Sequence, residues 1–156
     1  MISIRSGTVD DVPLLKTLIE ELATFERLSV VITEERLRQD GFGTRPKFRA
    51  LIAEIDGRPA GYALFFDCYS SFQGHGIFLE DLFVRPLSRG KGVGRALLAR
   101  VARMAEEAGS FGIMFNVLDW NDGAIEFYRR IGATFFDDWK TVCLKQKALH
   151  DLASEA

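Results

Sequence analysis

The chain has 156 residues, 47% of them hydrophobic and 27% charged, which suits one folded domain with a sizeable core and rules out a disordered chain. A formal net charge of −2 argues against nucleic-acid binding, which needs a basic excess, and no apolar run approaches the ~18 residues of a membrane span. Two cysteines and two histidines are too few for a Cys/His metal cluster; with no secretory signal at the N-terminus, the expectation is a single cytoplasmic domain over 1–156, without metal, with Cys68 and Cys143 as reduced, buried thiols.

In chain order, Ile2 to Arg5 reads as a short strand, and Thr8 with Asp11 resembles a capping box. Val12, Leu15, Leu18, Ile19 and Leu22 recur at helical spacing. Thr33 can cap a second helix, carrying Leu37 and stopping at Gly41-Phe42-Gly43. Phe48 to Ile55 and Ala60 to Phe66 are strands around Asp56-Gly57, a hairpin signal. Ser70 to Gly76 reads as a polar loop, and Ile77 to Val84 as a further strand ended by Pro86. A helix from Val93 to about Ala108 follows, with Val93, Leu97, Val101, Met104 and Ala108 as its apolar stripe and Gly109 as its stop. Ile113 to Leu118 is a strand, Asp122 to Ile131 a helix, and Thr134 to Phe136 and Thr141 to Leu144 closing strands; the tail after Lys145 is a frayed helical turn. Early hairpins with a later β-α-β unit predict an α/β (α+β) class: a mixed central sheet with helices on both faces.

Three segments carry chemistry. Between Arg85 and Arg95, glycines 90, 92 and 94 alternate and lead into a helix. Such a turn converges backbone N–H groups at a helix N-terminus, where anions bind. Arg85 to Arg103 holds six basic residues and no acid, a field suited to a polyphosphate. The spacing fits neither GxxxxGK[ST] nor GxGxxG, so a glycine-rich connection into a solvated basic helix is the competing reading. In the second segment, Glu80 and Asp81 interrupt the apolar run Ile77 to Val84. Neighbouring residues of a strand face opposite ways, and a carboxylate in apolar surroundings gains proton affinity, as a general base requires; an edge strand, or a carboxylate paired with arginine, is the alternative. The third, Asp119 to Ala133, opens with capping residues and would bury Ile125, Phe127, Tyr128 and Ile131. Taken alone, Tyr128 reads as a core tyrosine.

Arg89-Gly90-Lys91-Gly92-Val93-Gly94 resembles the Arg/Gln-x-x-Gly-x-Gly/Ala pyrophosphate loop of the GNAT N-acetyltransferases, and Asn121 to Ala133 resembles their second CoA-side motif, Asn-x-x-Ala-x-x-Phe-Tyr-x-x-x-Gly-Ala. Leu79 to Val84, with Leu22 to Glu26, Thr33 to Gly43 and Tyr69 to Gly74, is similar to the diamine (spermidine/spermine) and thialysine subfamily, so the likeness spans about residues 2 to 145. It implies a GNAT fold, acetyl-CoA as co-substrate, a small-molecule amine as acceptor and a homodimer. It also implies that acetyl-CoA lies along Leu82, Phe83 and Val84, on Arg89, Gly90, Lys91, Gly92, Val93, Gly94 and Arg95, and against Asn121, Ala124 and Tyr128. Glu80 would draw the ammonium proton through water, and Tyr128 would protonate the leaving thiolate. Phe25, Glu26, Glu80 and Asp81 would face the amine. Ser70 stands where polyamine-acetylating members carry an acid, and Phe25 where they carry tyrosine; Ser70 is like the thialysine branch. A covalent route through Cys68 or Cys143, a non-catalytic acyl-CoA-binding regulatory module and an acetyltransferase of peptide or protein amines stay open as other readings. Glu80 and Tyr128 together weigh against the non-catalytic one.

Overall fold

Turn residues and alternating apolar residues lay out the first half of the chain as a meander in the computed structural model, which describes residues 1–156. Ile2–Ser6 (β1) pairs antiparallel with Arg49–Ile55 (β2), β2 with Arg58–Ser70 (β3), and β3 with Gly74–Val84 (β4). Asp56 and Gly57 both take positive φ, 49° and 76°, as a two-residue hairpin turn requires. Ile113–Met114 (β5) joins β4 in parallel after a crossover through the helix Val93–Glu107 (α3). The sheet is mixed, in the order β1-β2-β3-β4-β5.

Local capping starts the helices where the sequence predicts. The Thr8 backbone N–H and Oγ1 donate to Asp11 Oδ2 at 2.8 and 3.0 Å. Arg5 grips the same carboxylate with Nη1 and Nη2, both at 2.7 Å. After this turn, Val12–Glu26 (α1) buries Val12, Leu15 and Leu18. The Arg36 N–H donates to Thr33 Oγ1 at 3.2 Å and caps Glu34–Phe42 (α2). α1 and α2 cover one face of the sheet, where Leu15, Leu18 and Leu37 meet Ile52, Tyr62, Leu64 and Phe83. α3 packs on β3 and β4 with Val93, Leu97, Leu98, Val101 and Ala105 buried. By strand alternation Phe65 and Leu79 serve that second face. Each fully buried Leu or Phe contributes roughly 1.5–3 kcal/mol.

The structure departs from the sequence reading in several places. The expected Ser70–Gly76 loop shrinks to a turn over 71–73. Polar cross-strand contacts extend the ladder there: Asp67 Oδ1 meets Arg49 Nη2 at 2.8 Å and His75 Nε2 at 3.0 Å. Ser70 Oγ accepts from the N–H groups of Phe72 and Gln73, both at 3.2 Å, and closes the turn. Met104 is only half-buried and Ala108 exposed, while Leu98 and Ala105 take their place in the α3 stripe. β5 has two residues rather than six. Cys68 is half-buried and Cys143 exposed, so neither is the buried thiol expected.

The chain divides into two compact units, Met1–Asn116 and Val117–Ala156. Within the second, Asp122–Arg130 (α4) is capped by Asn121, whose Oδ1 accepts from the Ala124 N–H at 3.3 Å. Lys147–Ala153 forms α5. The closing strands expected at Thr134–Phe136 and Thr141–Leu144 are irregular chain. A strand exists through its ladder partners, and these stretches have none; the Trp139 N–H instead bonds back to the Phe136 carbonyl at 3.2 Å. No helix is long and apolar enough to cross a membrane.

Candidate active site

The acidic pair owes its placement to an irregularity in β4. Leu64 pairs with Asp81, but Phe65 pairs with Leu79. Glu80 is therefore an extra residue in the ladder, a β-bulge, which re-aims side chains and bends its strand. Simple alternation would send Glu80 and Asp81 to opposite faces. With the bulge, both line one cleft of about 440 Å³ whose apolar wall includes Ile32, Leu37, Phe48, Leu64 and Phe66. Asp40 and Lys47 line the same cleft from α2 and the loop after it.

Electrostatics distinguish the acids. The hydroxyl of fully buried Tyr62 donates to Asp81 Oδ2 at 2.9 Å. Burial raises the Asp81 pKa from 3.8 to about 6, helped by the charges of Glu80 and Glu26 and opposed by the Tyr62 hydrogen bond. Glu26 is shifted upward as well, by burial and then by Glu80. Burial, with Asp81 next, pushes the Tyr62 phenol far upward, so it stays a donor. Glu26, Glu80 and Asp81 thus act on one another as a local excess of negative charge, which a cation would relieve. Tyr62 was not singled out from the sequence, where it reads as another apolar strand residue; its bond to Asp81, diagonal to it on the neighbouring strand, was the missing signal.

On the C-terminal side of the bulge, β4 has an open edge. β5 pairs only with Ile77 and Phe78, so Leu82, Phe83 and Val84 have a strand partner on the β3 side alone. Past Pro86, Gly90 and Gly92 adopt φ of 73° and 88°, a region that side chains disfavour. A Cβ at either would meet nothing within 4 Å, so the backbone there is open to a ligand. The first helical bond runs from the Ala96 N–H to the Gly92 carbonyl at 3.0 Å. The amides of Val93, Gly94 and Arg95 therefore lie in the first turn of α3, free of intrahelical acceptors. The basic run is weaker than its count suggests. Arg85 is held by Glu21 at 2.7 and 2.9 Å. Arg89 lies over the Phe25 ring at 4.7 Å and donates to the Val84 carbonyl at 3.0 Å. Arg103 pairs with Glu107. Lys91 and Arg95 remain as exposed cations at the turn, with Arg100 exposed further along α3.

In the second unit, Tyr128 is buried, with its ring 5.3 Å from that of Phe127. Its carbonyl accepts from the N–H groups of Ile131 and Ala133. Ala124 lies in the first turn of α4, and the Asn121 carbonyl oxygen is taken up by capping, leaving its amide NH₂ as a donor. Ser70, the position read as a substrate determinant, ends β3, closes the following turn with its hydroxyl and is absent from the cleft lining.

Comparison with known proteins agrees with this architecture. The Acetyltransferase (GNAT) family profile matches residues 15–133. The chain is 38% identical to the thialysine N-epsilon-acetyltransferase of Sus scrofa, over 97% of each chain, and 36% identical to that of Bos taurus, over 99% of this chain and 98% of the relative. Among solved structures, a V. cholerae integron cassette protein superposes with a TM-score of 0.80 at 21% identity, covering 97% of both chains. The aminoglycoside N-acetyltransferase AAC(6')-Iy, in complex with CoA, superposes at 0.73 and 20%, covering 94% of this chain and 95% of its own. At such identities these two speak for the fold; the profile and the full-length relatives speak for descent, and the chain belongs to the GNAT acetyltransferase family as an acetyl-CoA-dependent N-acetyltransferase.

Proposed function

We propose that the protein transfers acetyl from acetyl-CoA to the primary amine of a small cationic molecule by direct attack. The observation that carries this reading is the bulge at Glu80, which aims two carboxylates into one apolar-walled cleft on the strand that leads into the glycine turn. Acetyl-CoA supplies an activated thioester. The open edge of Leu82–Val84 suits its amide-bearing arm by strand addition. The amides of the Arg89–Arg95 turn, with Lys91 and Arg95, suit its pyrophosphate. The Asn121 amide NH₂ and the Ala124 turn are assigned to the same arm by likeness to the family.

An ammonium cannot attack a carbonyl until it loses a proton. Glu26, Glu80 and Asp81 attract the cation, and the Glu80–Asp81 pair accepts that proton, directly or through water. Within the pair, Asp81 has a proton affinity close to working pH, which favours general-base catalysis. By likeness to the family, Tyr128 is assigned the proton for the departing sulfur; a phenol still holds one at neutral pH. Phe25, under Arg89, is assigned to the acceptor side by likeness to the family. The covalent alternative is disfavoured at Cys68, whose thiol is pushed up by burial and then by Asp67, away from the reactive thiolate. We also assign the protein to the cytoplasm, as a homodimer with no nucleic-acid, membrane or metal partner.

Relatives named as thialysine N-epsilon-acetyltransferases support a small acceptor over a peptide. The test is thiol release from acetyl-CoA across polyamines, diamines, lysine analogues, aminoglycosides and peptides. Turnover with small amines, lost in Glu80→Gln or Asp81→Asn, is the expected result. Binding of CoA without turnover on any amine would make the protein a regulatory module.

A further inference from the structure

Tyr62 stands in β3 on the face that α1 and α2 cover, fully buried in one cluster with Leu15, Leu18, Leu37 and Phe83. Its ring lies 6.2 Å from that of Phe83, its partner across the ladder. Such packing suits a phenylalanine, because a buried hydroxyl without a partner is costly. Here the hydroxyl has one: it donates to Asp81 Oδ2 at 2.9 Å. Asp81 lies two positions before Phe83, on the same face of β4, so the bond is set by strand register and by a ring that the core holds still. Asp81 is half-buried and Glu80 exposed. Around Asp81 stand Tyr62 from β3, Glu80 beside it on β4 and Glu26 from α1, with Asp40 and Lys47 lining the same cleft.

Burial keeps the Tyr62 phenol protonated across the working range, so Oδ2 remains the accepting oxygen and a proton arriving at the carboxylate goes to Oδ1. We infer that Tyr62 is a positioning residue for the proposed base: by holding Oδ2 it fixes the Asp81 carboxylate in one orientation and leaves Oδ1 for the amine. This rests on the proposed amine acetylation and adds a core residue that does not itself line the cleft. In the step concerned, an N–H bond of the substrate ammonium breaks and its electron pair stays on nitrogen as the attacking lone pair. The proton bonds to Oδ1, directly or through one water, and solvent takes it after the acetyl group has moved. Glu26 and Glu80 draw the cation in. Without the hydroxyl, Asp81 would lose its fixed orientation and its proton affinity would rise, since the Tyr62 bond opposes the effect of burial.

The test is Tyr62→Phe, which keeps the ring and removes one oxygen. With an amine that the wild type acetylates, kcat falls about tenfold or more while KM stays within about twofold. The acid limb of the kcat/KM profile moves up by about one pH unit, as one charge-assisted hydrogen bond requires. The Asp81 carboxyl carbon, followed by NMR in aspartate-labelled protein, titrates higher by the same amount, a readout that needs no turnover. In the Asp81→Asn background Tyr62→Phe lowers the residual turnover by less than about threefold, because the two changes act through one group. Melting curves check that Tyr62→Phe is folded; Tyr62→Leu, which removes the hydroxyl together with the ring, is the second variant and moves the limb in the same direction. A limb and a titration that stay in place in folded Tyr62→Phe, or an equal loss with and without Asp81, overturns the inference and leaves amine acetylation standing. Wild-type protein that acetylates no amine of the panel overturns both.

Discussion

Replacing Asp81 with asparagine should make the protein more stable and nearly inactive at once. The Asp81 carboxyl is raised from 3.8 to about 6, first by burial, so the folded state disfavours its charged form. Two pKa units at ~1.4 kcal/mol each set the cost at roughly 2–3 kcal/mol. The sign follows from proton binding. Between pH 3.8 and about 6 the folded protein holds a proton that the unfolded chain has lost, so stability falls as pH rises through that window, and the whole penalty is present above it. An asparagine amide carries no charge at any pH, fills the same space, and its oxygen can accept the Tyr62 hydroxyl. Asp81→Asn should therefore raise the melting temperature by about 4–12 °C at pH 8, at 2–4 °C per kcal/mol for a chain of this size, and the gain should vanish near pH 4. Acetyl transfer should fall by about 10²-fold or more with the base gone. Thermal unfolding of both proteins at pH 4, 6 and 8, with kcat/KM measured alongside, tests the pairing. A variant less stable than wild type at pH 8, or a stability difference independent of pH, would refute the account of Asp81 as a desolvated carboxylate.

Wild-type kcat/KM should climb with pH through about 6, as the Asp81 carboxyl ionises, and a pH–rate profile that stays flat there would count against the pair as base. Gly92→Val places a branched side chain at φ 88° over the open turn and should weaken CoA binding by about 2 kcal/mol or more, read by calorimetry on protein shown to be folded. Tyr128→Phe should keep the melting temperature within a few degrees and cut turnover by about 10²-fold; unchanged turnover under rate-limiting chemistry would leave Tyr128 a core residue. Asp11 is held at about 2, chiefly by its hydrogen bonds from Arg5, so it adds stability above its ordinary pKa that disappears as pH falls towards 2. Asp11→Asn should cost about 1–2 kcal/mol at pH 7, after allowance for the partly exposed arginine, and almost nothing at pH 2, as followed by denaturant titration.

Much of the first unit was legible in the sequence because its signals are local. The Thr8–Asp11 box, the Thr33 cap, the Asp56-Gly57 hairpin and the glycine turn into α3 are each specified within a few residues, and each forms. What escaped depends on partners far along the chain. Nothing near Ser70 reveals that Asp67 will meet both Arg49 and His75, so the ends of β3 and β4 read as a loop. The bulge is set by the pairing of Leu64 and Phe65 with β4; the acids were visible, but not their common face. Counting six basic residues overstated the field at the turn, because Glu21 and Phe25, more than 60 positions upstream, engage Arg85 and Arg89. Thr134–Phe136 and Thr141–Leu144 have strand-like composition, yet composition cannot supply a neighbouring strand.

The bulge makes one residue separable from the fold in an unusual way. Deleting a residue from the middle of a strand normally turns every following side chain to the wrong face. Here Leu79 already pairs with Phe65 and Asp81 with Leu64, so excising Glu80 would splice two neighbours that fit a regular ladder. The shortened strand would keep its register and its core contacts and lose half of its acidic pair. Measured by indel tolerance, this position belongs to the chemistry alone: a one-codon insertion into an ordinary hairpin would be enough to introduce the device, and a one-codon loss enough to return the chain to a plain scaffold.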